Sequence, residues 1–107
     1  MEFVHKPVLA REVIDLLSVK KGGTYVDGTL GSGGHAGLIL EALDGTGLVL
    51  GIDRDDEALA RTRRRLAQWK KGCLLAKGNF ADMADIARQN GLASVDGILL
   101  DLGVSSE

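Results

Sequence analysis

Long apolar runs are missing from this chain. No stretch approaches the roughly 18 consecutive apolar residues of a membrane helix, and the opening "MEFVHKPVLAREV" has no apolar run flanked by basic residues. Neither a membrane span nor a secretory leader is therefore expected. Cysteine is reduced to Cys73, which excludes an internal disulfide and a cysteine-built zinc site and fits a reducing, cytoplasmic setting; no metal site is expected. An excess of one charge is missing too. A net charge of −2 gives no global attraction to phosphate, so any nucleic-acid surface has to be a local patch. Proline occurs once, and no internal repeat or low-complexity linker interrupts the chain, so 107 residues form one domain at most. What remains is ordinary for a folding chain, with 45% hydrophobic and 26% charged residues. Glycine is the exception, at 15 residues, and its placement carries the argument.

Four short apolar runs bounded by Gly, Asp or Asn predict buried parallel strands at Thr24–Asp27, Leu48–Asp53, Cys73–Ala76 and Gly97–Leu102. Segments of helical period separate them. Gly33–Leu43 is apolar at Ile39, Leu40 and Leu43, and Asp55–Trp69 carries Ala58, Leu59, Thr62, Leu66 and Trp69 on one stripe behind three acids that favour a helix start. Phe80–Asn90 repeats the pattern, with Asn79 as its cap and Gly91 as its C′ residue. Ahead of the first strand, Val8–Leu17 predicts a further amphipathic helix with Pro7 at its N-terminal edge. Strand and helix in alternation predict an α/β fold of right-handed βαβ units around an open parallel sheet. Four strands make the first half of a doubly wound, Rossmann-like sheet, and the expectation is a truncated chain. Its last strand would be an apolar edge open to homo-oligomer formation or strand exchange.

The richest stretch is "YVDGTLGSGGHA", Tyr25–Ala36, with four glycines between Gly28 and Gly34. Gly31, Gly33 and Ala36 satisfy G-x-G-x-x-G/A, and Asp53 follows about 20 residues on at the end of the second strand. A carboxylate there can accept both hydroxyls of an adenosine ribose, which NAD and S-adenosylmethionine share. Asp27 discriminates. A carboxylate at the first strand tip repels a pyrophosphate but suits the ammonium of an amino acid, so S-adenosylmethionine, its methionine part over Gly31–Gly34, is favoured. NAD or FAD, and a turn that binds nothing, stay as alternatives. Phe80 follows the third strand, where a ring could border an adenine or simply join the core. Asp101 ends the fourth strand, on the far side of the switch point in strand order where such folds bind ligands.

With these stations in place the sequence resembles the bacterial 16S ribosomal RNA cytosine-N4 methyltransferases, which act in the decoding region of the small subunit. The resemblance rests on "HKPVLAREV" (5–13), "YVDGTLGSGGH" (25–35), "GIDRD" (51–55), "GNF" (78–80) and "DGILLDLGVSS" (96–106). It implies cofactor contacts at Gly33, Gly34 and His35, at Asp53 on the ribose, at Phe80 near the adenine and at Asp101 beside the reacting end. It also implies 16S rRNA as partner. The family's next contact, a glutamine soon after "VSS", would fall past Glu107, which itself stands where the family usually has proline. A helical substrate domain and the remaining strands are expected beyond this portion.

Methyl transfer from a sulfonium is an in-line displacement, so alignment of donor and amine within about 3 to 3.5 Å is the main task. The cytosine amine has its lone pair delocalised into the ring, and an acceptor on its N–H groups would help localise it. Asp101 is the candidate acceptor, although the two prolines that follow this position in many amino methyltransferases are replaced here by Leu102-Gly103-Val104. Ser105 and Ser106 read better as turn residues than as donors, and His35 better as a cofactor contact than as a base. The basic run Arg61, Arg63, Arg64, Arg65, Lys70 and Lys71 could touch rRNA phosphates, but it reads better as the solvated face of an amphipathic helix.

Overall fold

A computed structural model describes residues 14, 15, 17–28, 30, 34–69 and 71–100. Within them, four strands form β1 (Thr24–Asp27), β2 (Leu48–Asp53), β3 (Cys73–Lys77) and β4 (Gly97–Leu99). Three α-helices connect them in turn: α1 (Gly34–Leu43), α2 (Asp56–Arg65) and α3 (Met83–Gln89). All strand pairs are parallel, in the order β3-β2-β1-β4. The chain therefore moves outward from β1 to β3 and then crosses back to pair β4 on the other side of β1. That reversal is the switch point expected of a doubly wound sheet.

The alternating direction of strand side chains builds a core on each face of the sheet. Tyr25, Val49, Cys73 and Leu75 face α1 and α2, where they meet Ile39, Leu40, Leu43, Leu59 and Leu66. Val26, Leu50, Ile52, Leu74 and Ala76 face the other way, onto Ile86, Ala87 and Met83. The stripes expected from sequence are the buried ones, including Thr62 in α2, and Trp69 packs half-buried at the edge of the first cluster. Apolar strands with both faces covered are what the continuous apolar runs require.

The boundaries depart from expectation for local reasons. The second helical segment does not run unbroken to Trp69. The α-helix ends at Arg65, Leu66 N–H closes onto Thr62 O at 2.8 Å, and Ala67–Trp69 tightens into a 3-10 turn. The third begins as a 3-10 turn, Phe80–Asp82, capped by Asn79, whose side chain accepts from Ala81 N–H at 3.0 Å. Gly91 ends α3 at φ +82°, the C′ conformation that glycine adopts without strain. β3 gains Lys77 by pairing with Asp53, and β4 stops at Leu99 instead of Leu102. Ile14, Asp15 and Leu17 are helical, while most of the expected Val8–Leu17 helix lies outside the described residues.

Candidate functional site at the carboxyl edge of the sheet

Register decides which side chains share this edge. β1 pairs Asp27 with Gly51, and Asp53 lies two residues further along β2, so both acids project from the same face, the one covered by α1 and α2. Strand spacing and rise put their Cα atoms about 8 Å apart, suiting two ends of one ligand better than a single shared atom. Asp27 is 1% exposed and is engaged by its surroundings. Asp53 is half-buried, and its Oδ1 accepts from Asp55 N–H at 2.9 Å, which fixes the carboxylate at the strand tip. Asp55 in turn caps α2 by accepting from Glu57 N–H at 2.9 Å. Lys77, the partner of Asp53 across β3, is drawn away to Asp56 at 3.0 Å.

The turn after β1 is pinned on both sides. Gly28 N–H donates to Leu99 O at 2.9 Å, and Leu30 N–H donates to Ile52 O at 3.1 Å. Leu30 is 3% exposed and its side chain lies over Gly51, where an added Cβ would come within 2.7 Å of Leu30 Cδ1. A Cβ on Gly28 would meet Leu100 Cδ2 at 2.5 Å and Phe80 Cβ at 3.1 Å. Three strand ends thus close around Gly28. Phe80, beside it, remains 37% exposed, a large aromatic surface at the edge where an adenine could stack. Gly34 and His35 open α1, both half-buried, so the first N–H groups of the helix serve the same edge.

Of the expected site residues, Asp27, Gly34, His35, Asp53 and Phe80 therefore gather at the carboxyl edge. Gly31, Gly33 and Asp101 lie outside the described residues. Leu30 and Gly51, which set the height of the turn, were missed in the sequence reading. Their signals were a lone apolar residue inside a glycine turn and a glycine interrupting an apolar strand. No cluster of three metal-ligating side chains occurs among the described residues. The acceptors and the ring present here fit an ammonium, a ribose diol and an adenine. Burial pushes the Cys73 thiol up from its ordinary pKa, against a smaller opposite pull from Arg63; it stands at the start of β3, away from this edge.

The family model of the MraW methylase family matches residues 2–107. A ribosomal RNA small subunit methyltransferase H from Trichlorobacter lovleyi is 51% identical over 105 residues, covering 98% of this chain and 34% of the relative. Among solved structures, a putative rRNA-methylase from Clostridium thermocellum superposes with a TM-score of 0.66 at 28% identity, covering 73% of this chain and 42% of that one. An S-adenosylmethionine-dependent O-methyltransferase from Thermotoga maritima reaches a TM-score of 0.69 at 21% identity, covering 90% and 35%, a likeness of fold alone. The chain spans about a third of the length of the curated relatives it matches.

Proposed function

Because this chain belongs to the MraW methylase family, we propose that it is the cofactor-binding portion of an enzyme that methylates the N4 amine of a cytidine in 16S rRNA of the small ribosomal subunit. The observation that carries the reading is the pair of carboxylates Asp27 and Asp53 on one face of the carboxyl edge, flanked by the exposed ring of Phe80.

S-adenosylmethionine supplies an electrophilic methyl group. To hold it, Asp27 would balance the ammonium, Gly31, Gly33 and the amides of Gly34 and His35 at the start of α1 would receive the methionine carboxylate, Asp53 would accept the ribose hydroxyls and Phe80 would border the adenine. Asp101 accepts an N–H of the target amine, holding it in line and relieving the positive charge that develops on nitrogen. The supporting feature for Asp101 is its sequence position just past β4, the strand that lies across the switch point from β2. Among the described residues no helix is long and apolar enough to cross a membrane, and an enzyme of rRNA acts in the cytoplasm. Association with a second copy through β4, the edge strand among the described residues, belongs to the same proposal.

Nucleoside mass spectrometry of 16S rRNA, from cells with and without the gene for the protein that carries this chain, tests the reading. The expected result is loss of N4-methylated cytidine on deletion. An unchanged level of that nucleoside, with some other modification lost, contradicts it.

A further inference from the structure

We propose that the arginine ridge at the end of α2, together with Lys71, is a docking surface for the phosphodiester backbone of the RNA substrate, at the edge of the domain remote from the methyl donor. The proposal rests on the reading of the chain as part of an rRNA methyltransferase, and it assigns a role to a run of charge that the donor site leaves unused.

α2 starts beside Asp53 and runs about 15 Å to the opposite edge of the sheet. Its charge is segregated along that length. Asp55, Asp56 and Glu57 stand at its start, and Arg63, Arg64 and Arg65 fill its last turn, with Arg61 just before them. The helix dipole amounts to about half an elementary charge at each end, which accounts for a cation there but not for four. Ala58, Leu59 and Thr62 take the buried side of the helix, and all four arginines are exposed.

Arg61, Arg64 and Arg65 follow i, i+3, i+4 spacing, which sets their Cβ atoms about 5–6 Å apart and makes them repel one another. Among the described residues, the ion pairs Lys21–Asp44, Lys77–Asp56 and Arg88–Asp85 do not engage Arg61, Arg63, Arg64 or Lys71. Beyond the helix the chain doubles back tightly, with Trp69 N–H on Leu66 O and Gly72 N–H on Trp69 O, both at 2.9 Å. Lys71 is thereby held at the same edge, where Arg63 also acts electrostatically on Cys73 at the start of β3. The planar guanidinium groups of Arg61, Arg63 and Arg64, close to one another on an exposed helix end, suit successive phosphates of a nucleic-acid strand. The ridge and the donor site lie at opposite ends of α2, so a folded RNA held at the ridge is free to present a base at the carboxyl edge.

Anisotropy of a fluorescein-labelled RNA hairpin, titrated with the 107-residue chain across a salt series, tests this. The variant Arg61→Gln/Arg63→Gln/Arg64→Gln/Lys71→Gln should bind at least about tenfold more weakly at low salt. Its slope of log K against log salt should be shallower by about 0.7 to 0.9 per lost phosphate contact, the single-strand and duplex values. The loss should be equal for a scrambled hairpin, since phosphate contacts carry no sequence information. Calorimetric affinity for S-adenosylhomocysteine should not change, and Arg88→Gln should leave RNA binding within about twofold. Should the fourfold variant fold poorly, Arg61→Gln/Arg64→Gln is expected to lose about half as much slope. Wild-type affinity and slope in these variants, or a parent chain that binds S-adenosylhomocysteine but no RNA, overturns the docking surface and leaves the methyl-donor site standing. A parent chain that fails to bind S-adenosylhomocysteine overturns the underlying reading, and this proposal with it.

Discussion

Asp53 shows how much one side chain is asked to do. Its Oδ1 holds Asp55 N–H, and through Asp55 it steadies the capped start of α2. In the proposed complex it also receives the ribose. Asp53→Ala should weaken S-adenosylhomocysteine binding by about 1.5 to 3 kcal/mol, the range for hydrogen bonds to a charged group. Asp53→Asn keeps an oxygen for Asp55 N–H but trades its charge and its second acceptor for an amide donor, so it should fall between the parent and the alanine variant. Calorimetry that finds all three alike would reduce Asp53 to a strand-end residue. Asp27, at 1% exposure, is a different case, because a carboxylate set so deep is there to meet a fixed positive group or donor and not bulk water.

At the scale of elements, the site depends on how closely the turn after β1 can settle on β2. Leu30 fills the space over Gly51 that a side chain would otherwise take. Gly51→Val should therefore destabilise the protein by about 1 to 3 kcal/mol through overpacking, although valine itself favours strands. It should also lift the glycine turn and lower cofactor affinity. A urea-unfolding midpoint equal to the parent's would contradict that packing. Much of this level was legible beforehand. Apolar strand runs, the stripes of α1 and α2, the Asn79 cap and the Gly91 terminus follow from local chemistry, which the sequence carries directly. The 3-10 breaks at Ala67–Trp69 and Phe80–Asp82 did not show, because the period of apolar residues continues through them while the hydrogen bonding tightens. The Leu30–Gly51 contact was equally hidden, since it joins residues brought together only by the parallel register of β1 and β2. The bond from Thr24 N–H to Asp96 Oδ2 at 2.8 Å, which ties β1 to the approach of β4, is a third example of what pairing alone reveals.

At the scale of the whole molecule, the described helices cover the two faces of the sheet unequally. Among the described residues, α1 and α2 pack on one face and α3 on the other. An apolar groove lined by Val26, Met83, Ala87, Leu92, Val95 and Ile98 runs beside β4, which is the edge of the described sheet. Ile98 is 43% exposed there. An unpaired edge with an apolar flank favours association, so light scattering of the chain should show concentration-dependent oligomers that Ile98→Lys diminishes. A monomer at every concentration would remove that expectation.

In the proposed complex Asp27 faces an ammonium where a dinucleotide would bring a pyrophosphate, so the carboxyl edge should prefer an adenosyl amino acid to a dinucleotide. Parallel calorimetric titrations of the chain with S-adenosylhomocysteine and with NAD test it most directly. The expected result is saturable binding of S-adenosylhomocysteine, at least about tenfold tighter than NAD, the equivalent of about 1.4 kcal/mol. Tighter binding of NAD would contradict it.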